Sequence, residues 1–455
     1  MDEPPKIFTG KPGRTRAQEE PARESAEAPQ GRGARAAVAR RSAPERDAKA
    51  AILVMMSTSA AAGLDIRDVQ AALTADGLDA WLLYDFRGIN PIAVDVTAVD
   101  RQGGHLSTRR WFYLIPASGD PRGLVHKIEK HSLAHLPGTM TQYAGRDQLE
   151  AGLQKILGGL RRIAMEYSPG CAIPYVARVD AGTIELVRQN GVEVVSSGDL
   201  VQRFSAVWDD AAVATHRTAS EKLYRVKDRA FEAVARRLRD GVETTEYDVQ
   251  QLMAGWFRDE GLVTDSDPNV SVGANAGNPH YLPTSTAHRT ITKDAVVLLD
   301  LWGKLDRPGA VFADITWMGY TGREVPERVA RAFAAACAAR DAGVRLVQQR
   351  ARAGQAVRGW EVDRAASTVL RDAGYAAQIL HRTGHSLGET VHGNGVNMDD
   401  FETHDDRRLL PGTGFTIEPG VYFDDFGIRT EINMVMGVKD AAVTGPVQTE
   451  FVKLV

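Results

Sequence analysis

The feature that most constrains this sequence is a set of acidic side chains within apolar runs of its C-terminal third. An ionised carboxylate costs several kcal/mol or more to bury unless it is neutralised, hydrogen-bonded or bound to a metal ion. Each of these acids lies in a segment rich in branched or aromatic residues, and one histidine accompanies them. The five residues are Asp300, Asp314, His385, Glu418 and Glu431. Their spacing is typical of a site for two metal ions.

The two aspartates are predicted to lie on a β-hairpin. Asp300 shares a strand face with apolar residues of VVLLDLWGKL, and Asp314 does so in VFADITWMGY, because side chains alternate along a strand with a period of two. The connecting KLDRPG contains a Pro-Gly turn. We therefore expect the hairpin to bring the two aspartates into register.

Histidines are concentrated in the same part of the chain. His381, His385 and His392 lie within the twelve residues of HRTGHSLGETVH, which predicts that at least one of them is a metal ligand or an acid–base group. His280 lies in a Gly- and Asn-rich segment that reads as a loop, where a histidine alone is more often inert. Glu418 directly precedes a Pro-Gly turn pair, so it is expected at the end of a strand.

Composition restricts the class of protein. Apolar residues make up 43% of the 455 residues and charged residues 25%, and the net charge is −4, so neither a nucleic acid nor an anionic membrane is expected as a partner. Cys171 and Cys337 are too few for a disulfide framework and fit a reducing compartment. The sequence has no apolar run near the ~18 residues that span a bilayer and no secretory signal pattern. The expected location is the cytoplasm.

Three regions are predicted along the chain. Residues 1–55 are poor in aromatics and are expected to be a disordered tail, or a mis-assigned start with translation beginning at Met55 or Met56. Residues 62–205 alternate strands and helices, which predicts an α/β domain for packing, dimerisation or covering a site. Residues 215–455 form the predicted catalytic domain, which opens with a long helix capped by Thr218 or Ser220 and ending at Gly241.

The motifs of the C-terminal half resemble the M24-type metallopeptidases, the family of methionine aminopeptidase, Xaa-Pro aminopeptidase and prolidase, with creatinase as a metal-free cousin. GHSLGETVH is similar to the family's Gly-His-x-x-Gly run, FTIEPGVY to its Thr-x-Glu-Pro-Gly strand, and GIRTE to its last acidic motif. The resemblance implies an α/β (α+β) fold, with a C-terminal pita-bread domain and an N-terminal creatinase-like α/β domain.

The resemblance also implies a role for each site residue. Asp314 and Glu431 would bridge two divalent ions, Asp300 would complete the shell of one ion, and His385 and Glu418 that of the other. Mn²⁺ is the expected ion, with Co²⁺ or Zn²⁺ as alternatives, and ions about 3.5–4 Å apart can share a hydroxide. That hydroxide would attack the scissile carbonyl, and Glu418 would carry its proton.

Four further residues match family positions that are not metal ligands. His280, His381 and His392 match histidines that hold the substrate and the developing oxyanion. Arg429 matches an arginine that supports the bridging glutamate.

The implied activity is that of a metallo-exopeptidase, an Xaa-Pro aminopeptidase or dipeptidase acting as a homodimer on short peptides with proline after the scissile bond. The alternatives are a non-peptide hydrolase or lyase acting on a small metabolite, and a binding module without catalysis. The sequence departs from the family in three places. Asp300 and Asp314 are 14 positions apart, more than is usual, Trp317 replaces an arginine, and Trp302 lies close to a ligand. We expect these departures to reshape the substrate pocket.

Overall fold

The computed structural model describes residues 64–99 and 107–455. The predicted tail or mis-assigned start at residues 1–55 lies outside this range. Within the described part of the chain, no helix is both long and apolar enough to cross a membrane.

The first half of the described chain is organised by a mixed sheet of six strands. Its strands are β1 (Ala80–Asp85), β2 (Trp111–Pro116), β3 (Arg122–His126), β4 (Thr139–Tyr143), β5 (Arg162–Met165) and β6 (Glu193–Ser196). The accompanying helices are α1 (Ile66–Ala75), α2 (Pro91–Thr97), α3 (Arg146–Leu157), α4 (Ala181–Arg188) and α5 (Gly198–Ser205). The strand order is β4-β3-β2-β1-β5-β6.

The central strand β1 shows why this sheet forms. Every residue of AWLLYD is buried, and alternate side chains enter two separate cores: Leu82 packs in one and Trp81 in the other. A strand covered on both faces reads as a continuous apolar run. The structure therefore confirms the predicted α/β character of this region, while β3 and β4 were not predicted.

A long helix, α6 (Asp210–Asp240), follows. Its N-cap is Asp209, whose side chain accepts a hydrogen bond from the Ala212 amide, so the predicted start at Thr218 or Ser220 is wrong. Thr218 lies two turns inside the helix, where its hydroxyl bonds to the Ala214 carbonyl. The end at Gly241 is confirmed, because this glycine has a φ of +68° and closes the helix in the left-handed conformation.

The second half contains two larger sheets and a small hairpin. The strands are β7 (Leu262–Val263), β8 (Asn269–Val272), β9 (Val296–Leu305), β10 (Ala313–Tyr320), β11 (Ser386–Leu387), β12 (Gly414–Ile417), β13 (Gly420–Tyr422), β14 (Gly427–Arg429), β15 (Ile432–Met436), β16 (Ala441–Val443) and β17 (Val452–Lys453). The helices are α7 (Glu246–Asp259), α8 (Glu327–Arg352) and α9 (Gly359–Asp372). One sheet runs β17-β10-β9-β7 with β8 beside β9, the other runs β11-β12-β15-β16, and β13 pairs with β14.

The two larger sheets meet along β10 and the start of β15. The Asp314 amide donates to Asn433 Oδ1 over 3.0 Å, and the Glu431 amide donates to the Thr316 carbonyl over 3.3 Å. Helix α6 covers the outer face of β9 and β10 through one apolar core, and α8 packs against α9 on the other side. This junction of sheets carries the acidic residues.

Candidate metal centre

The β9–β10 hairpin positions the two aspartates. Strand pairing sets Asp300 directly opposite Thr316, and Asp314 directly opposite Trp302. All four side chains share one face, because opposite residues of an antiparallel pair and residues two apart point the same way. The hairpin is thus confirmed, but the expected register is wrong: the aspartates are diagonal neighbours rather than a facing pair, because the strands pair two residues away from the register that would set them opposite each other.

The two glutamates are brought together by the neighbouring sheet. Ile417 at the end of β12 pairs with Ile432 at the start of β15, so Glu418 and Glu431 flank the last pair of this ladder. Both lie just outside the regular strands, which confirms the strand-end position predicted for Glu418. The Glu418 amide donates to the Thr383 carbonyl over 2.7 Å, which fixes the backbone of this glutamate.

His385 is oriented with one ring nitrogen free for a ligand. Its amide donates to Thr416 Oγ1 over 2.9 Å, and its Nδ1 lies 3.1 Å from the Ser386 carbonyl oxygen. A carbonyl only accepts, so Nδ1 carries the proton and Nε2 presents its lone pair. That Nε2 lies 3.6 Å from Asp314 Oδ2 and 3.4 Å from Glu418 Oε1.

Three of the predicted ligands converge closely enough to share one ion. Ligand atoms of Asp314, His385 and Glu431 all lie within 4.8 Å of one another, and all three residues are buried. Asp314 Oδ1 and Glu431 Oε1 are buried without any hydrogen-bond partner among the described residues. Buried polar atoms are satisfied in nearly all native structures, so these two oxygens fit a site that binds cations.

The electrostatics of the acids lead to the same conclusion. Burial raises the pKa of Asp300 to about 7, and burial with neighbouring negative charge raises those of Asp314 and Glu431 well above the usual range. The protein alone therefore disfavours the ionised forms. Divalent cations would compensate the charge of carboxylates held this close together.

Glu418 differs from the other acids. Burial raises its pKa, but neighbouring positive charge, including that of Arg429, outweighs burial, and the net pKa is lowered. Thr416 Oγ1 donates to Glu418 Oε1 over 3.0 Å. A carboxylate that stays ionised beside the cluster is suited to accept a proton.

Arg429 lies at the centre of the polar network behind the ligands. Its guanidinium forms an ion pair with Asp300 rather than with Glu431, and its Nε donates to Thr316 Oγ1 over 2.9 Å. The Thr316 hydroxyl is also 2.8 Å from Glu431 Oε2 and 3.3 Å from Asp300 Oδ1. Thr316 thus connects Arg429 to Glu431 through hydrogen bonds.

Two of the non-ligand histidines lie beside the cluster. The His381 Nδ1 is 2.6 Å from the Arg382 carbonyl oxygen, and its Nε2 is 2.7 Å from the Tyr422 hydroxyl, so both ring nitrogens have partners within the protein. The His392 ring centroid lies 4.4 Å from that of His385.

The structure places His280 in an exposed loop, with no described side-chain contact to the acids. Glu246, at the start of α7, holds this loop: its carboxylate accepts from the Val272 and Arg289 amides and from the Tyr281 hydroxyl, over 2.5–2.7 Å. Glu246 is fully buried. Sequence reasoning missed it because its partners lie 26–43 positions away.

Thr316 and Tyr422 are the other residues that sequence reasoning did not assign to the site. Thr316 could have been found, because it stands two positions after Asp314 on the same strand face. Tyr422, which connects Arg429 to His381 through hydrogen bonds, carries no such pattern.

The two tryptophans have different positions. Trp317 packs with Ile315 and Leu299 on the α6 side of the sheet, with Lys227 Nζ 3.8 Å from the centre of its ring, so the expectation that it reshapes the substrate pocket is wrong. Trp302 is on the same face as the ligands. Its indole Nε1 donates to Asp265 Oδ1 over 2.6 Å.

Residues 219–437 match the model of metallopeptidase family M24. This segment belongs to that family. The predicted family is confirmed, and with it the peptidase class. The chain is 26% identical in sequence over 337 residues to the probable dipeptidase PepE of Mycobacterium tuberculosis, covering 73% of this chain and 82% of the relative. It is 30% identical over 206 residues to the Xaa-Pro dipeptidase of Lactobacillus delbrueckii subsp. lactis, covering 45% and 51%.

Solved structures confirm the predicted fold. The dipeptidase PepE from Mycobacterium ulcerans superposes with a TM-score of 0.63 at 24% identity, over 86% of this chain and 96% of that one. The prolidase from Thermococcus sibiricus gives 0.55 at 18% identity, over 86% and 100%. The chain thus has the pita-bread fold with an N-terminal α/β region.

Proposed function

We propose that this protein is a dinuclear metal-dependent hydrolase that cleaves Xaa-Pro peptide bonds, as an aminopeptidase or a dipeptidase. One observation carries the proposal: Asp314 and Glu431 each bury a carboxylate oxygen that has no hydrogen-bond partner among the described residues, next to Nε2 of His385. Such an arrangement is costly in a protein without cations and favourable in one that binds them.

The donor set fits two hard or borderline divalent ions. Asp314 and Glu431 would contact both ions, Asp300 would complete one shell, and His385 and Glu418 the other; carboxylates with one imidazole suit Mn²⁺, Co²⁺ or Zn²⁺. When bound, the ions would polarise the scissile carbonyl and lower the pKa of a water molecule.

The protein's own groups would then orient the substrate and move protons. Glu418, ionised at neutral pH, would accept a proton near the cluster and deliver it to the departing amine. His392, beside His385, is the described histidine best placed to contact a bound substrate, because His381 already uses both ring nitrogens. His280 lies in an exposed loop and would contact the substrate from that loop.

The preference for proline rests on similarity. Relatives named Xaa-Pro dipeptidase and solved prolidases share the fold or part of the sequence. Manganese as the ion, a homodimer, a cytoplasmic location and the domain boundaries 62–205 and 215–455 remain predictions from the sequence.

The proposal is tested by Mn²⁺-supplemented hydrolysis of an Xaa-Pro dipeptide beside an Xaa-Pro-Yaa tripeptide. Cleavage of the dipeptide marks a dipeptidase, and cleavage of the tripeptide alone marks an aminopeptidase. Glu418→Ala should lower the rate by several orders of magnitude, with Glu402→Ala, an exposed acid outside the cluster, as the matched control. Cleavage of neither peptide by metal-loaded protein would contradict the proposal and favour a non-peptide substrate.

A further inference from the structure

The segment that carries two of the predicted histidines, His381–His385, is fixed by contacts along its length. The Thr383 amide donates to Asp363 Oδ1 over 3.1 Å, and the Gly384 carbonyl accepts from the Met398 amide over 2.9 Å. Both partners belong to the C-terminal half of the chain. Such supporting contacts hold the side chains of a site in one geometry. The orientation of the last histidine therefore depends on the contacts of the residues before it.

Arg382, in the same segment, has a partner from the N-terminal α/β region. Its Nη1 donates to the Tyr175 hydroxyl over 2.7 Å, and its guanidinium carbon lies 5.5 Å from the centre of the Tyr175 ring. Glu402 accepts from the Arg382 amide over 3.1 Å and pairs with the guanidinium at 3.5 Å, but this carboxylate is exposed, so solvent screens the ion pair. Tyr175 is therefore the stronger of the two partners of this guanidinium outside its own segment.

The Arg382 side chain transmits this contact to His385. Its Nε donates to the Gly384 carbonyl over 3.2 Å, so the side chain folds back over its own backbone. That carbonyl and the His385 amide belong to one planar peptide unit, so a movement of the carbonyl turns the amide with it. The His385 amide in turn donates to Thr416 Oγ1. Tyr175 thus begins a chain of contacts that ends at a predicted metal ligand.

Tyr175 is not the only contact between the N-terminal region and the C-terminal half. It lies between β5 and α4 and is half-buried. Two other hydrogen bonds join the same parts of the chain: the His404 amide donates to the Ala172 carbonyl over 3.2 Å, and Gln202 Nε2 donates to the Arg408 carbonyl over 2.7 Å. These bonds remain when the Tyr175 hydroxyl is removed, so the effect of that hydroxyl on the site can be measured by itself.

We propose that Tyr175 is a positioning residue for the candidate metal centre. Through Arg382 it fixes the peptide unit before His385, and with it the direction of the imidazole. The N-terminal α/β region then contributes to metal binding as well as to packing. The inference rests on the proposed function in one respect, because it takes His385 as a metal ligand.

The test is Co²⁺ binding to the full chain, measured by calorimetry and by the visible absorption of the bound ion, which responds to ligand geometry. Tyr175→Phe keeps the ring beside the guanidinium and removes only the hydroxyl. Loss of a partner that orients a metal ligand lowers metal affinity about 10- to 100-fold. Because Tyr175 acts through an intervening side chain, we expect the lower value, about 10-fold, together with a changed visible spectrum.

Tyr167→Phe is the matched control. Tyr167 lies in the same region, and its ring also has a guanidinium beside it, that of Arg188 at 4.9 Å, but this arginine belongs to α4. The control should leave the Co²⁺ affinity and spectrum unchanged. An equal loss of affinity in Tyr175→Phe and Tyr167→Phe would show a general structural role and overturn the proposal. Unchanged affinity and spectrum in Tyr175→Phe would also overturn it.

A double-mutant cycle shows whether Tyr175 acts through the arginine. Arg382→Met keeps an aliphatic stem and removes every donor of the guanidinium. Tyr175→Phe should therefore have no further effect on Co²⁺ affinity in the Arg382→Met background. Additive losses of affinity would contradict the proposal, since Tyr175 would then act by another route.

Failure of the proposed function is recognised separately. If the wild type binds no Co²⁺, the metal-dependent function fails, and amide hydrogen exchange of the His381–His385 segment in the metal-free protein decides whether Tyr175 positions the histidine. Tyr175→Phe should raise the exchange rate of this segment about 10-fold, the effect of one hydrogen bond to a charged group, and Tyr167→Phe should not. Equal exchange in the wild type and Tyr175→Phe contradicts the positioning role.

Discussion

Removal of the Thr316 hydroxyl is the most direct perturbation of the network behind the ligands. Thr316 is fully buried, and its oxygen lies 2.9 Å from Arg429 Nε and 2.8 Å from Glu431 Oε2. A hydroxyl has one proton, so it accepts from the arginine and donates to one carboxylate at a time. Thr316→Val keeps the shape of the side chain but loses both bonds.

The magnitude follows from these two contacts. A hydrogen bond to a charged partner contributes about 1.5–3 kcal/mol, and losing one partner leaves the other group buried and unsatisfied. We expect Thr316→Val to lower the free energy of unfolding by about 3 kcal/mol. We also expect metal affinity to fall about 10- to 100-fold, because Glu431 loses the group that orients it.

The assay is urea unfolding of the metal-free and metal-loaded protein, combined with metal titration. Thr316→Ser, which keeps the hydroxyl, is the matched variant and should retain most of the stability and the affinity. A change in the free energy of unfolding below about 0.5 kcal/mol in Thr316→Val would refute the reasoning, since effects this small are typical of surface substitutions that break no such contact. An equal loss of stability in Thr316→Val and Thr316→Ser would also refute it.

Two further predictions follow from the acids. Burial raises the pKa of Asp300 to about 7, so between the ordinary pKa of an aspartate and pH 7 the unfolded state binds fewer protons than the folded state. The free energy of unfolding of the metal-free protein should therefore fall as the pH rises through this window, which urea unfolding at a series of pH values measures. A saturating divalent ion should abolish the fall. Glu246→Gln should lower kcat/KM about 10- to 100-fold without changing metal content, because the loop that carries His280 loses hydrogen bonds to the Glu246 carboxylate. Glu243→Gln is the control. Additive effects of Glu246→Gln and His280→Ala in a double-mutant cycle would contradict the reasoning.

Helix ends are predicted well from the sequence only where a single residue type marks the boundary. The end of α6 at Gly241 could be predicted because glycine readily adopts the left-handed conformation that closes a helix. The start of the same helix was not, because Thr218 and Ser220 resemble caps but lie within a helix that Asp209 opens. Serine and threonine occur at helix caps, but they also occur inside helices, where the hydroxyl can donate to a carbonyl of the preceding turn. Their presence alone therefore did not determine where α6 begins.

The acids of the site could be predicted because their burial is chemically unusual, whereas their relative placement could not. The register of β9 and β10 depends on the geometry of the turn, which sets Asp314 opposite Trp302. The position of Trp317 could have been predicted from the two-residue period of a strand, since its neighbour Thr316 faces the acids. The Asp265–Trp302 contact joins residues 37 positions apart and has no local signature.

The central claim is that cations compensate the buried charge of the C-terminal half, and elemental analysis of the purified protein tests it most directly. After incubation with Mn²⁺ and removal of excess ion, we predict about two divalent ions per chain, by the donor set of two-metal sites. Glu431→Gln should lose them, and Glu402→Gln should retain them. A wild-type protein that binds no divalent ion, or a Glu431→Gln variant with unchanged metal content, would contradict the account.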